Sequence, residues 1–251
     1  MAILTNPFID VVNSLNGLPT RPLPRESDTL AEIRRQREVA LFITMHQVLD
    51  QVNQLLAPGE QIINLLPMTN EANSGYATDG VFGMYAPQSE TTKDYRDAQS
   101  SLRGNRLMVF TDRRIIFFIV IEFIDDPKQY FSYEYSKIKY VKLAAKRVRA
   151  EDPKHLGKPQ YYGYYSFDFE TTDKHVFTEF LTQENGELFK RNLLTIPGMK
   201  DIQIGDKVKR FTVFDQMFSN ASLSYKIAVI VATILVGGNL LGAFINWLLG
   251  L

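Results

Sequence analysis

The period of apolar positions changes several times along the chain, and each change predicts an element. Residues 1–12 (MAILTNPFIDVV) are short and apolar, and residues 13–25 carry Pro19, Pro22 and Pro24. Proline fixes φ and restricts its neighbour, so residues 1–25 are expected as an extended N-terminal segment. Residues 26–57 then read as an amphipathic helix, with Leu30, Ile33, Leu41, Val48, Val52 and Leu55 at helical spacings and Arg34, Arg35, Arg37 and Glu38 on other faces. Ser27 or Asp28 can cap it and Pro58-Gly59 stops it. Such a stripe usually packs on its own domain; a protein partner through this helix is the alternative.

From residue 60 to about 182 the period shortens to that of strands. Residues 60–67 (EQIINLLP) form the first, and residues 73–89 are Gly- and Ser-rich, with Tyr76, Val81, Phe82, Met84 and Tyr85 as a candidate short strand. Residues 107–110 and 114–124 flank a Thr111-Asp112-Arg113 turn, which is a hairpin pattern. Residues 130–135 and 138–143 follow, then 161–170 (YYGYYSFDFE) and 175–181. Residues 185–194 (NGELFKRNLL) close the region as a helix, ended by Pro197-Gly198.

The last pattern has no period at all. Residues 227–251 (IAVIVATILVGGNLLGAFINWLLGL) are uncharged and apolar, and about 20 such residues span a bilayer core of roughly 30 Å. A transmembrane helix over 226–251 is expected, the alternative being a buried hairpin broken at Gly237-Gly238. Lys207, Lys209, Arg210 and Lys226 precede the run and no charge follows it. The positive-inside bias therefore places the preceding domain in the cytoplasm, as a tail-anchored, single-pass protein of the cell inner membrane. The first residues lack the basic start and apolar length of a signal peptide.

Three short motifs occur in order: Pro58-Gly59-Glu60 entering a strand, residues 107–118 (LMVFTDRRIIFF), and residues 135–141 (YSKIKYV), with NGELFKRNLL after them. Together they resemble the hallmark of bacterial PH-like (GRAM-like) domains, across roughly residues 58–196. The resemblance implies an α+β fold: a PH-like antiparallel β-barrel or sandwich with a capping helix, preceded by an amphipathic helix and followed by one C-terminal transmembrane helix. The PH-like domain is expected over 58–200, with a linker and interfacial helix over 201–225. It also implies a binding or scaffolding module. Thr111 and Asp112 suit the tight turn, and Arg113 or Arg114 is expected to pair with a carboxylate or carbonyls as scaffold.

Composition narrows the chemistry. Lys plus Arg (28) equals Asp plus Glu (28), so the global charge offers no ground for a nucleic-acid partner, and the absence of Cys removes thiolate metal sites and Cys nucleophiles. His46, His155 and His175 lack ligand spacing, and no GxxxxGK[ST], HExxH or GxSxG occurs. No metal, cofactor or catalytic residue is expected. The strongest ligand candidate is the basic stretch Lys142, Lys146, Arg147, Arg149, Lys154 and Lys158, read as a loop that meets anionic headgroups. A phosphorylated small molecule or a nucleic-acid backbone is the competing reading, and a solvated face without a specific partner the plainer one. Tyr161, Tyr162, Tyr164 and Tyr165 alternate along a strand, so some rings are expected in the core and some exposed, core packing being favoured over stacking on a base or a protein interface. Phe211, Phe214 and Phe218 at helical spacing, with Lys209 and Arg210, fit a helix at the membrane surface or equally one packed on the barrel, and Trp247 fits the far interface. Gly238 and Gly242 form a GxxxG with Asn239 and Asn246 near it, which points to a homo-oligomer through the span.

Two functions follow as expectations: a membrane-held adaptor or scaffold, and an oligomeric membrane-perturbing effector in stress or antiviral defence with the PH-like part as sensor. Membrane leakage on expression, abolished by Leu at both Asn239 and Asn246, separates them.

Overall fold

The computed structural model describes residues 7–19, 27–68, 80, 89, 90, 92–94, 105–120, 130–151 and 159–249. Two four-stranded sheets form its body. The first has the order β1-β2-β3-β4, with β1 (Ile62–Met68), β2 (Asn105–Thr111), β3 (Arg114–Val120) and β4 (Tyr130–Glu134) all antiparallel. The second has the order β7-β6-β5-β8, with β5 (Ile138–Glu151), β6 (Pro159–Thr171) and β7 (Val176–Thr182) antiparallel, and β8 (Gln203–Gly205) parallel to β5.

Strands β1 to β3 of the first sheet are buried on both faces, which explains their nearly continuous apolar runs. Successive side chains alternate sides, and here each side meets a different partner. Leu66, Met68, Met108, Phe110, Ile115 and Phe117 face the second sheet, joining Phe167, Phe169, Phe177 and Phe189 in one core. Leu65, Leu107, Val109, Ile116 and Phe118 face the other way, onto two helices, α1 (Pro7–Leu15) and α2 (Asp28–Leu55). Pro67 lacks an amide donor and sits on β1, the edge strand, where none is needed.

Helix α1 replaces the extended segment expected over 1–25, at least across residues 7–15. Pro7 starts it, Asp10 lies in its first turn, and Phe8, Val11 and Val12 are buried. Each such burial contributes about 1.5–3 kcal/mol, enough to make a helix of a short run. Asn16, just beyond it, pairs with the free edge of β1: its Nδ2 donates to the Leu65 carbonyl at 2.8 Å and its Oδ1 accepts from the Leu65 amide at 3.0 Å. Residues 20–26 lie outside the described residues.

Ser27 caps α2 through the Leu30 amide. Only Leu41, Met45, Val48 and Val52 are buried on it, while Leu30 and Ile33 are 57% and 56% exposed. The stripe expected to pack along the whole helix therefore does so only from Leu41 onward. The part before Leu41 buries no apolar side chain; Arg34 and Glu38 are half-buried there, and Arg35, Glu38 and Val39 face Asp10, Val11 and Ser14 of α1 across a shallow pocket. Gly59, at φ +76°, makes the tight turn from α2 to β1.

Helix α3 (Gln183–Leu193) closes one end of the sheets, with Phe189 and Leu193 in the core and Thr182 accepting from the Asn185 amide as its cap. After β8 come a short helix α4 (Val213–Phe218) and a long one, α5 (Ala221–Leu249). The candidate strand around Tyr76 to Tyr85 lies outside the described residues.

Candidate functional site

Two buried polar clusters organise the molecule. The first is built from the Pro58-Gly59-Glu60 and Thr111-Asp112-Arg113-Arg114 motifs, 51 residues apart. Glu60 accepts from Thr111 Oγ1 at 2.7 Å, the Ala57 amide at 2.8 Å and Arg114 Nε at 3.0 Å. Arg114 also donates to the Leu55 carbonyl at 2.7 Å, and Arg113 to the Pro58 carbonyl at 3.0 Å. Burial pushes the Glu60 carboxyl up, but the bonds from Arg114, Ala57 and Thr111 outweigh it and hold it below the ordinary carboxylate value. The arginines thus staple the end of α2 to the β2–β3 turn, the scaffold role expected of them.

An open pocket of about 790 Å³ adjoins this staple. Arg113, Arg114 and Lys139 face Glu60, Glu134 and Asp201 across it, a balanced set that does not single out an anion. Phe211 forms part of its wall.

The second cluster joins the chain before α5 to the outer face of the second sheet. On β6 the odd residues Phe167 and Phe169 enter the core, so the even residues Ser166, Asp168 and Glu170 point outward. Arg210 reaches Asp168 with two bonds, Nη1 to Oδ1 at 2.5 Å and Nη2 to Oδ2 at 3.1 Å. Its Nε donates to Ser219 Oγ at 2.8 Å and its Nη2 to the Ser219 carbonyl at 3.2 Å. The Phe211 amide donates to Glu170 Oε2 at 3.0 Å, and Lys174 Nζ to Asp215 Oδ1 at 3.2 Å. Arg210, Asp168, Glu170, Asp215 and Ser219 are all buried.

The electrostatics follow from burial. Arg210 is held above its usual value: desolvation opposes its charge, but Asp168, Glu170 and Asp215 more than compensate. Burial raises the Glu170 carboxyl to about 7 against the pull of Arg210 and the Phe211 amide, and its Oε1 has no hydrogen-bond partner among the described residues. Lys142 is lowered by burial, which outweighs Asp168, and donates to Ser166 Oγ at 2.8 Å.

This overturns two expectations for residues 201–225. Arg210 does not reach toward headgroups; it is spent on Asp168. The segment is not a linker but part of the second sheet, through β8 and the ion pair. Helix α4 also starts later than the aromatic spacing implies, because Thr212 caps it through the Asp215 amide at 3.0 Å. Phe211 precedes the helix, while Phe214 and Phe218 lie on it with ring centroids 4.4 Å apart. Val213 and Met217, which sequence reasoning missed, are exposed beside Phe214.

The basic stretch is not a loop up to residue 151. Strand β5 continues eight residues past Leu143, paired with β6 in the register Lys146↔Tyr164, Arg147↔Gly163, Val148↔Tyr162 and Arg149↔Tyr161. These residues lie past the core, so no apolar alternation marked them as strand. Alternation also divides the cations: Lys142 and Lys146 share the outer face with Asp168, whereas Arg147 and Arg149 share the opposite side with Tyr161. Lys146, Arg147 and Arg149 are exposed, and Lys142 half-buried. Lys154, His155 and Lys158 lie outside the described residues. The tyrosines divide between core and surface: Tyr165 packs against the core, while Tyr161 and Tyr162 are exposed.

His175 is a core residue: it is fully buried, its Nδ1 lies 2.7 Å from the Tyr133 hydroxyl, and burial keeps it well below its usual value and neutral. Among the described residues no three His, Asp or Glu side chains could share a metal ion.

In α5, residues Tyr225–Ala243 are long and apolar enough to cross a membrane, and none of that stretch is buried. Gly238 and Gly242 face open space. The Asn239 Nδ2 donates to the Leu235 carbonyl at 2.7 Å, within its own helix. The side chains of Asn246 and Trp247 are outside the described set. No family model matches the chain, and no curated protein or solved structure is significantly similar to it.

Proposed function

We propose that this chain is a non-enzymatic, membrane-anchored protein, in which a PH-like (GRAM-like) domain is held at the inner face of the membrane as a binding or scaffolding module. The observation that carries the reading is the buried ion pair. An uncovered apolar helix follows within two residues of Ser219, and Ser219 is bonded to an arginine locked on β6. A loose tether would need no such joint, so the domain's position relative to the span matters to what it does. The two sheets, the capping helix α3 and the Glu60–Thr111–Arg114 staple support the PH-like assignment.

The ligand surface in this reading is the exposed end of the β5–β6 hairpin, where Lys146, with Lys142 behind it on the outer face, meets anionic lipid headgroups, and Arg147 and Arg149 on the opposite side add to the positive field around them. Each such cation near the surface contributes about 1 kcal/mol. A second copy packs along Gly238 and Gly242, whose lack of side chains allows close helix approach. The test is purification of the full chain from native membranes, with lipid and small-molecule analysis of the complex. Enrichment of anionic lipid, lost when Lys142, Lys146, Arg147 and Arg149 are replaced by serine, is expected. Recovery of no anionic ligand and no protein partner contradicts the reading.

A further inference from the structure

The outer face of the second sheet carries an apolar surface that its own fold leaves uncovered. At the root of α5, helix α4 lies against Asp168 and Glu170 with Asp215 turned inward to Lys174. Its opposite side shows Val213, Phe214 and Met217, 80%, 45% and 39% exposed. Farther along the same face, Phe180 lies opposite Ser166 in the register, and Tyr162 opposite Val148. These three are 38%, 41% and 50% exposed, and Lys142 and Lys146 stand among them.

We propose that this face lies flat on the bilayer that α5 crosses, with the α4 side chains and the Phe180, Tyr162 and Val148 patch in the headgroup layer. The proposal rests on the anchoring reading above and adds which side of the domain meets the lipid.

Continuity with the span selects the occupant. Ser219 is fixed to the face by Arg210, and the apolar stretch begins at Tyr225, six residues later and five residues into α5, about 9 Å along. A lipid surface is thus held beside this patch whenever the span is inserted. Its chemistry also fits: aliphatic and aromatic side chains interspersed with lysines suit the boundary between headgroups and acyl chains, where rings anchor and ammonium groups stay wet. The exposed apolar residues of α2, including Phe42 at 45%, compete for the same role. They lie beyond the first sheet, on the far side of the body. Stacked sheets are about 10 Å apart and a helix layer adds about as much again, so one flat membrane surface does not reach both.

The chain contains no cysteine, so a single introduced one is a unique label site. The full chain is reconstituted in vesicles of phosphatidylglycerol and phosphatidylcholine as Phe42→Cys, Val148→Cys, Phe180→Cys, Val213→Cys or Ile234→Cys. Each carries a spin label whose collisions with lipid-soluble oxygen and an aqueous nickel chelate are measured. The oxygen-to-chelate ratio is expected to be highest at 234, severalfold above that of 42 at positions 148, 180 and 213, and lowest at 42. A label at 234 in lipid with 148 and 180 as wet as 42 overturns the proposal while leaving the anchor intact, whether or not 213 is shielded. A wet label at 234 instead removes the anchoring reading itself.

Discussion

Replacing Arg210 by methionine leaves three buried carboxyl groups, Asp168, Glu170 and Asp215, facing a site from which their shared cation is gone. Breaking a buried pair by removing one partner costs about 3–5 kcal/mol. The lower end applies here, for two reasons. Glu170 already titrates at about 7 and can take a proton instead of a charge. Asp168 keeps its bond from Thr178 Oγ1 at 2.8 Å, and Lys142 is close enough to Asp168 to feel its charge. A loss of about 3 kcal/mol corresponds to a fall of roughly 6–12 °C in Tm for a domain of this size. The assay is thermal unfolding of the full chain in lipid nanodiscs, followed by near-ultraviolet circular dichroism of the Phe and Tyr core. Arg147→Met, on the exposed hairpin, should stay within about 0.5 kcal/mol of the parent. The double change Arg210→Met with Asp168→Leu should recover most of the loss, since it leaves no unpaired charge at Asp168. If Arg210→Met melts with Arg147→Met, the ion pair does not hold the segment and the joint to α5 is not built as described.

Glu170 sets a pH dependence with a definite sign. Its folded value of about 7 lies above its ordinary 4.5, so its contribution is fully present below about 4.5 and is lost as pH rises through 7. The full effect is about 3 kcal/mol; Glu170→Gln should flatten stability between those pH values, and a slope unchanged in that variant contradicts the assignment. Gly186 allows no side chain, because a Cβ there would fall 2.2 Å from the Tyr165 ring. Gly186→Ala should therefore destabilise by about 1–3 kcal/mol despite alanine's better helix propensity, with relief when Tyr165 is also made Ala; a more stable single variant contradicts the packing. Phe8→Ala should cost about 3–5 kcal/mol if α1 is part of the core, read by the same melting assay. A neutral result shows that α1 is not docked.

What the sequence made legible was whatever a core side or a turn enforces. The β2–β3 hairpin and α3 were readable because each follows a local rule, alternation about a tight turn and an apolar helical side closed by Pro197-Gly198, whereas Glu60 as the partner of Arg114, 54 residues away, was not. Nor was the end of β5, since the exposed residues from Ala145 on leave the core and their cations read as a loop. Helix α1 was hidden by its brevity, and its stability comes from Leu65, Val109 and their neighbours far along the chain. The Arg210–Asp168 pair joins positions 42 apart with nothing local to announce either partner. Lys209 and Arg210 looked alike in the sequence, and only the fold sends the second inward.

The central claim is that α5 crosses a membrane and carries the domain with it. Extraction of native membranes with alkaline carbonate tests it most directly. The full chain is predicted to stay with the membrane pellet, and Ile230→Asp with Ile234→Asp, which adds about 5–7 kcal/mol to insertion, to move to the supernatant. A full chain that is released by carbonate, or a double variant that remains as firmly bound as the parent, contradicts the account.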